Sequence, residues 1–321
     1  MGIKTRFLVI SDTHDEDLPG ISEIPTADVA IHCGDLTEES YINEFRKTLD
    51  LLRIIKAPLK LVIAGNHDFT LDTPIFRKKV TESQVLEADV RKFYGDYGEA
   101  RQIFDDARVE GIVFLDEGTH KFDLDNGATL TVYASPFTAS LKEGGFQFDP
   151  REGHDFNIAK GVDIVITHSP PHGIMDLTDS KERAGCPALF SAVARARPKL
   201  HCFGHIHEEW GARLVTWRGH PSETPSHFTD IDNNKSRVIE KLGNMRERRN
   251  DTPRVVLEKA ARRLHLHQQG YIRTSHCTRD ETPLQSGSQT LFVNAAIEYT
   301  LEEDSTHVPW LVEIELPRAV Q

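Results

Sequence analysis

The stretch LVIAGNHD, from Leu61 to Asp68, joins an apolar run directly to polar side chains, with only one glycine between them. Four consecutive apolar residues, Leu61 to Ala64, are typical of a short strand that is covered on both faces. The Gly-Asn pair that follows favours a tight turn. Asparagine, histidine and aspartate are groups that bind metal ions or move protons. The stretch therefore predicts a buried strand with chemically useful side chains at its carboxyl end.

The same arrangement recurs at four other apolar runs. The runs FLVI, VAIHC, IVI and HCF lead at once to Asp12 and His14, to Asp35, to His168, and to His205 and His207. In layered α/β folds, ligands bind beyond the carboxyl ends of the strands. Five polar clusters at five such ends can therefore converge on one point.

The residues between the second and third runs predict a helix. In EESYINEFRKTLDLLRII, apolar residues recur at Ile42, Phe45, Leu49 and Leu52, in steps of three, four and three that share one helical face. Strand, helix and strand in this order indicate a βαβ unit. Further on, DNG separates HKFDL from ATLTVYA, which predicts a hairpin. We therefore expect an α/β protein with mixed sheets and outer helices.

The bulk properties restrict the class of protein. We expect the 321 residues to form one domain, residues 1–321. A net charge of −12 disfavours nucleic acid and anionic membranes as partners, and no apolar run approaches transmembrane length. Four cysteines without a CxxC pattern are neither a disulfide framework nor a thiolate zinc site. Because the first strand begins within the first ten residues, we expect no signal peptide and a cytoplasmic location.

Residues 218–288 differ from the rest of the chain and predict a helical or irregular insertion. They include a basic run, Lys235 to Arg263, with ten Lys and Arg against four Asp and Glu. Such a run is ordinarily a solvated surface, and it lacks the interleaved aromatics of a nucleic-acid site. Our sharper hypothesis is a lid that brings arginines to an anionic substrate.

The side chains at the five strand ends indicate a metal site with two ions. Two carboxylates, one amide oxygen and four imidazoles, without thiolate, suit Mn, Fe or Zn better than Ca or Mg. Seven ligands are too many for one tetrahedral ion. Two ions can clamp the attacking and leaving oxygens of a phosphoryl transfer and generate hydroxide at neutral pH. Such a centre attracts an anionic phosphate in spite of the acidic chain.

The ordered blocks resemble those of the calcineurin-like metallophosphoesterases. The blocks are D-x-H (Asp12, His14), G-D (Gly34, Asp35), G-N-H-D (Gly65 to Asp68), a lone histidine (His168) and G-H-x-H (Gly204 to His207). Each block alone also fits a structural turn or a hydrogen-bonded histidine, but five in order across residues 12–207 are specific. The resemblance implies a four-layer sandwich of two mixed β-sheets flanked by helices.

The resemblance also implies a role for each site residue. Asp12, His14 and His207 would hold the first metal, Asn66, His168 and His205 the second, and Asp35 would bridge the two. Hydroxide between the metals would attack phosphorus, and His67 would protonate the leaving oxygen. Asp68 would orient His67. His172, four residues past a predicted ligand, is a candidate substrate-binding residue.

A finer resemblance is to the metallophosphoesterase-domain-containing (MPPED-type) branch, which is associated with phosphodiesters, including cyclic nucleotides. The stretches that carry it are THSPPHGIMD, YASPF, AGCPALFSAV and LFVNAAI. The second block reads GDLTEES and lacks the arginine of the Ser/Thr phosphatases (GDxxDRG), which disfavours a phosphoprotein substrate. The resemblance therefore implies a small phosphodiester as the substrate.

Three other functions remain as alternatives. A nuclease or a phosphomonoesterase would use the same chemistry, although the net charge disfavours a nuclease. The alternative of a different class is a non-catalytic interaction module on the same fold. That module should have lost ligands, yet each block of the pattern is intact. No residue pattern points to an oligomeric state.

Overall fold

The structure is a computed structural model that describes residues 2–18, 23–83, 86–297 and 307–319. The strands are β1 (Ile3–Ile10), β2 (Val29–His32), β3 (Leu59–Val62), β4 (Ile112–Phe114), β5 (Gly118–Asp123), β6 (Thr129–Ser135), β7 (Thr138–Ala139), β8 (Gln147–Phe148), β9 (Ile164–Thr167), β10 (Leu200–Phe203), β11 (Gly211–Thr216), β12 (Arg237–Lys241), β13 (Ile272–Ser275), β14 (Gln289–Asn294) and β15 (Trp310–Leu316). The α-helices are α1 (Ile42–Ile54), α2 (Thr73–Glu82), α3 (Glu87–Tyr94), α4 (Glu99–Asp106), α5 (Pro187–Ala196) and α6 (Pro253–Gln269).

Two large sheets form the centre of the molecule, and both are mixed. The first has the order β13-β15-β1-β2-β3-β4, and the second has β12-β11-β14-β10-β9-β6-β5. Strands β1 to β4 run parallel, whereas β15 pairs with β1 antiparallel. In the second sheet, β6, β9, β10 and β14 are parallel, and β5, β11 and β12 are antiparallel to their neighbours. The predicted mixed topology is therefore confirmed.

The sheets pack face to face, and helices cover their outer faces. Val9 of β1 lies in the same buried cluster as Val132 of β6. The next residue along β1, Leu8, points outward and packs in the cluster that holds Phe45 of α1 and residues of α4. On the other side, Val165 of β9 packs with residues of α5. Since side chains alternate along a strand, each central strand contributes to two apolar layers. The result is the four-layer sandwich expected from the sequence.

Helix α1 forms where its apolar spacing predicts it. The four apolar residues of the pattern are at most 4% exposed, and each such burial contributes roughly 1.5–3 kcal/mol. At the amino end, the Glu44 carboxylate accepts a 2.8 Å hydrogen bond from the backbone N–H of Tyr41. This bond satisfies one donor that the first helical turn leaves without a partner. The parallel pair β2 and β3 on either side of α1 confirms the predicted βαβ unit.

The segment 218–288 takes part in both sheets. It supplies β12 at one edge of the second sheet and β13 at one edge of the first, with α6 between them. Its basic side chains form ion pairs within the segment, such as Lys259 with Asp251 at 2.6 Å and Arg262 with Glu240 at 3.0 Å. The segment is thus partly built into the sandwich, and part of its positive charge is neutralised locally.

Glu313 joins three strands of the first sheet. This buried residue of β15 lies 2.8 Å from both Lys4 Nζ on β1 and Arg273 Nη2 on β13. Burial raises the pKa of the Glu313 carboxyl, but hydrogen bonds from Arg273, Lys4 and Ser275 outweigh it and lower the pKa to about 2. A carboxylate with a depressed folded pKa stabilises the fold above its unfolded pKa and loses that contribution as the pH falls toward the folded value.

We expect Glu313→Gln to lower the free energy of unfolding by about 1–2 kcal/mol at pH 7, because both cations lose their charged partner while staying half exposed. The difference from wild type should shrink between pH 4.5 and about 2, where the wild-type carboxylate becomes protonated. Urea denaturation at pH 7 and pH 3 measures both effects. Glu258→Gln, at an exposed pair on α6, is the matched control. If the difference in unfolding free energy between wild type and Glu313→Gln were the same at both pH values, the lowered pKa of Glu313 would be contradicted.

Candidate metal centre

Loops from both sheets meet at one edge of the sandwich, because the parallel strands of each sheet end there. They line a cleft of about 930 Å³. The predicted site residues His14, Asp35, Asn66, His67, His205 and His207 line this cleft, and Asp12 and His168 are completely buried within the clusters below it. The structure therefore brings together the seven predicted ligands and the predicted general acid. Their roles as ligands stay predictions.

One group of candidate ligands contains Asp12, His14 and His207, whose ligand atoms lie within 4.8 Å of one another. The Asp12 carboxylate lies 3.2 Å from His207 Nε2. It also accepts two 3.0 Å hydrogen bonds from the backbone N–H of His205. Nε2 of His14 is buried and has no hydrogen-bond partner among the described residues. Because a buried polar atom without a partner is costly, this nitrogen is suited to a metal ion.

A second group contains Asp35, His168 and His205. His168 Nε2 lies 3.2 Å from Asp35 Oδ2 and 3.0 Å from Asn66 Oδ1, so the predicted amide ligand belongs to this group. His168 Nδ1 donates to the carbonyl oxygen of Cys33 at 3.0 Å. A hydrogen bond to a backbone carbonyl fixes the orientation of an imidazole and directs its other nitrogen toward a metal.

Asp35 lies between the two groups. Its Oδ2 is 3.2 Å from His168 Nε2 in one group and 4.0 Å from His14 Nε2 in the other. Its Oδ1 accepts a 2.8 Å hydrogen bond from the backbone N–H of His67. One carboxylate therefore reaches both clusters, which is the placement that the bridging prediction requires.

The backbone of these loops is strained at the candidate ligands. Asp12, His14, Asp35 and His205 have φ angles of 54°, 46°, 50° and 68°. A non-glycine residue in this left-handed region costs on the order of 1–2 kcal/mol, and such strain clusters at functional sites. The surrounding sandwich must hold these conformations, because the residues do not favour them on their own.

The glycines of two motifs are required by close approach to the carboxylates. A Cβ on Gly204 would lie 1.9 Å from Asp12 Oδ2, and a Cβ on Gly65 would lie 2.3 Å from Asp35 Oδ1. Any side chain at either position would displace a carboxylate of the centre. The glycine that precedes each motif's asparagine or histidine is therefore part of the site's geometry.

The electrostatics keep both carboxylates ionised in spite of burial. Burial raises the pKa of Asp12, but the hydrogen bond from His207 and the nearby imidazoles outweigh it and hold that pKa well below its usual range. The pKa of Asp35 is lowered in the same way, chiefly by His168. Burial lowers the pKa of His205 to about 4, which keeps that imidazole neutral. The ionised carboxylates, the neutral His205 imidazole and the Asn66 amide oxygen fit two divalent ions of the Mn, Fe or Zn type.

His67 lies at the mouth of the cleft, but Asp68 does not orient it as predicted. His67 Nδ1 donates to the carbonyl oxygen of Glu38 at 2.7 Å, which leaves Nε2 for the cleft. The fully buried Asp68 carboxylate accepts instead from the backbone of Leu36, Thr37 and Gly65 and from the Thr37 hydroxyl. Those donors occupy its oxygens, so Asp68 ties two ligand loops together.

The sequence reasoning missed Glu38. Its Oε2 lies 2.8 Å from His14 Nδ1 and 4.0 Å from His67 Nδ1, and the three side chains form a further candidate metal group. In the sequence, the feature that points to Glu38 is its position three residues after Asp35 in the GDLTEES block. Burial lowers the pKa of His67, but Asp35 and then Glu38 outweigh it and raise that pKa, which favours the protonated imidazole.

His172 is not among the residues that line the cleft, and its role in substrate binding stays a prediction. Its Nδ1 donates to the carbonyl oxygen of Gly185 at 3.2 Å, and its ring lies 5.3 Å from that of His227. Ala184, from the same loop, lines the cleft instead. The lid hypothesis gains no support either, because none of the described cleft-lining residues belongs to 218–288.

The calcineurin-like phosphoesterase family model matches residues 5–209, and the chain belongs to that family. Human metallophosphoesterase domain-containing protein 1 is 33% identical over 215 residues, which are 64% of this chain and 62% of that protein. The predicted membership of the calcineurin-like family is thereby confirmed, and this relative supports the resemblance to the MPPED-type branch.

Two further matches either cover a smaller share of the matched protein or have a lower sequence identity. A probable rhamnogalacturonate lyase C of Emericella nidulans is 31% identical over 215 residues, 66% of this chain but 18% of that protein. The chain thus covers less than two thirds of either relative. The crystal structure of TT1561 of Thermus thermophilus is 10% identical, covers 63% of this chain and 81% of that chain, and has a TM-score of 0.41. In the described part of the chain, no helix has the length and apolar character needed to cross a membrane.

The two histidines of G-H-x-H lie in different groups, which leads to a test. We expect His205→Ala and His207→Ala each to lower the metal content by about one ion of two, because each removes a candidate ligand of a different ion. Elemental analysis after loading with Mn gives the count, and electron paramagnetic resonance should show the loss of metal–metal coupling in both variants. His265→Ala, on the exposed face of α6, is the control. If one variant lost both ions and the other lost none, the assignment of His205 and His207 to different ions would be contradicted.

Proposed function

We propose that this protein is a dinuclear metal-dependent phosphoesterase that hydrolyses a small phosphodiester. The observation that supports the proposal best is the placement of Asp35, whose carboxylate reaches both ligand groups in one open cleft. A phosphoryl group bound there would contact both metal positions and lie near His67. The fit of the donor set to two Mn, Fe or Zn ions extends the family assignment to a mechanism.

Bound metal ions and different residues of the chain would carry out different parts of the reaction. Two bound ions would supply an activated water and would stabilise the charge that develops on the phosphoryl oxygens. His67, held through Nδ1 by the Glu38 carbonyl, would use Nε2 to give a proton to the leaving oxygen. Asp68 would keep the loops of Asp35 and His67 in register.

The charge of the cleft favours a substrate with one negative charge. Its rim carries the acidic side chains of Asp15, Glu16, Glu38 and Glu143. Repulsion from these groups disfavours a nucleic-acid polyanion and, to a smaller degree, a doubly charged phosphomonoester. A small phosphodiester carries a single charge, which the metal positions can neutralise. We propose a cyclic nucleotide or a similar small diester as the substrate class.

The proposed location is the cytoplasm. All four cysteines are free thiols and all are buried, and none is paired in a disulfide. Such cysteine usage suits a reducing compartment, where disulfides are rare.

A substrate panel with Mn-loaded protein tests the proposed function. We expect wild type to hydrolyse aryl diesters and 2′,3′- or 3′,5′-cyclic nucleotides faster than aryl monoesters or single-stranded DNA. Asp35→Asn should lower activity and metal content together, because both ions would depend on this carboxylate. A protein that binds no metal and hydrolyses no ester, although folded, would support the alternative of a non-catalytic interaction module.

The role of His67 has its own test. We expect His67→Ala to keep its metals and to slow esters with poor leaving groups by about 10²–10⁴-fold, the usual contribution of a general acid. Activated aryl esters should lose much less, because their leaving groups need no proton. The measurement is kcat for a series of aryl diesters of graded leaving-group pKa, with His265→Ala as the control. An equal loss across the series would contradict proton donation by His67.

A further inference from the structure

A strap of residues 138–148, which contains β7 and β8, forms one wall of the cleft. The backbone N–H of Gly145 donates to the carbonyl oxygen of Asn66 at 2.9 Å, and that of Phe146 donates to Asp72 Oδ2 at 2.9 Å. The two short strands pair with each other, so the strap has its own internal register. It is therefore anchored directly to the loop that carries Asn66 and His67.

The glycine pair of the strap shows how closely it is pressed onto that loop. A Cβ on Gly145 would lie 2.7 Å from Phe69 Cα, and a Cβ on Gly144 would lie 3.0 Å from the carbonyl oxygen of Asn66. The first approach leaves no room for a side chain on Gly145, and the second would require the neighbouring backbone to shift slightly. The tip of the strap is thus held in a fixed position relative to the candidate metal ligands.

The tip carries Lys142, which is the one Lys or Arg among the described residues that line the cleft. The residues after Asp35, LTEES, supply no cation there. No carboxylate of the described chain lies within 4.0 Å of the Lys142 ammonium, whereas its acidic neighbour Glu143 lies 3.9 Å from Lys79. Lys142 therefore brings a positive charge to a cleft whose rim is otherwise acidic.

We propose that Lys142 is a substrate-binding residue that pairs with a non-bridging oxygen of a monoanionic phosphodiester. This inference rests on the proposed function and adds a specificity-determining residue to the same site. An ammonium on a flexible stem acts on phosphate as a point charge and needs no fixed geometry. Because the strap is hydrogen-bonded to the loop of Asn66, the charge of Lys142 stays near the candidate ligands. Lys142 binds and does not take part in bond breaking.

The experiment compares Lys142→Met with wild type as Mn-loaded full-length protein. We expect KM for an anionic aryl diester to rise about five- to tenfold with kcat changed less than twofold, the effect of losing one partly screened charge contact. Lys142→Arg should restore KM, and Lys121→Met, an exposed lysine of β5, should leave it unchanged. The KM of wild type should also increase more steeply with ionic strength than that of Lys142→Met. Metal content should be equal in all four proteins.

A binding measurement separates this inference from the proposed function. The dissociation constant for inorganic phosphate, measured by calorimetry on the Mn-loaded proteins, should rise in Lys142→Met by a similar factor. If wild type hydrolyses no ester yet phosphate binding depends on Lys142, the proposed function fails and the binding role stands. If KM and phosphate affinity are the same in Lys142→Met and wild type, the inference is overturned. It is equally overturned if the variant loses kcat and metal ions together.

Discussion

The burial of two carboxylates, Asp12 and Asp35, is the constraint on which the rest of the site depends. Removing an unpaired carboxylate from water costs several kcal/mol, so each must be compensated by nearby donors and positive charge. Backbone N–H groups of His205 and His67 and the imidazoles of His207 and His168 provide that compensation. Because these donors come from several loops, the carboxylates fix the relative positions of both sheets at this edge.

The same constraint explains local features that are otherwise unfavourable. Both carboxylates sit on residues in the left-handed region, and each is approached by a glycine that could not carry a side chain. Asp68 adds a third buried carboxylate that binds only backbone and hydroxyl donors and so holds two loops together. The strain is distributed over loops whose ends are fixed by buried parallel strands.

The sequence predicted the fold and the meeting of the candidate ligands at one edge of the sandwich, because both depend on local signals. Apolar runs that end in polar residues mark the strands, and the spacing of Ile42, Phe45 and Leu49 marks α1. The position of His172 and the partner of His67 could not be read in this way, because they depend on how separate loops pack. Nothing in the sequence indicates that the Asp68 carboxylate turns inward to bind backbone donors. For the same reason, the basic composition of 218–288 predicted a surface insertion, although its strands pair at the edges of both sheets.

The pairing of β1 with β15 has a consequence for how the chain reaches this fold. These two strands lie at opposite ends of the described chain, yet they are hydrogen-bonded neighbours over seven residue pairs. During synthesis β1 is made long before its partner, so one edge of β1 stays unpaired until the residues of β15 have left the ribosome. Contacts of such large sequence separation slow folding and leave intermediates with exposed strand edges. The first sheet therefore closes late in folding, and until then the free edge of β1 is open to pairing with other strands.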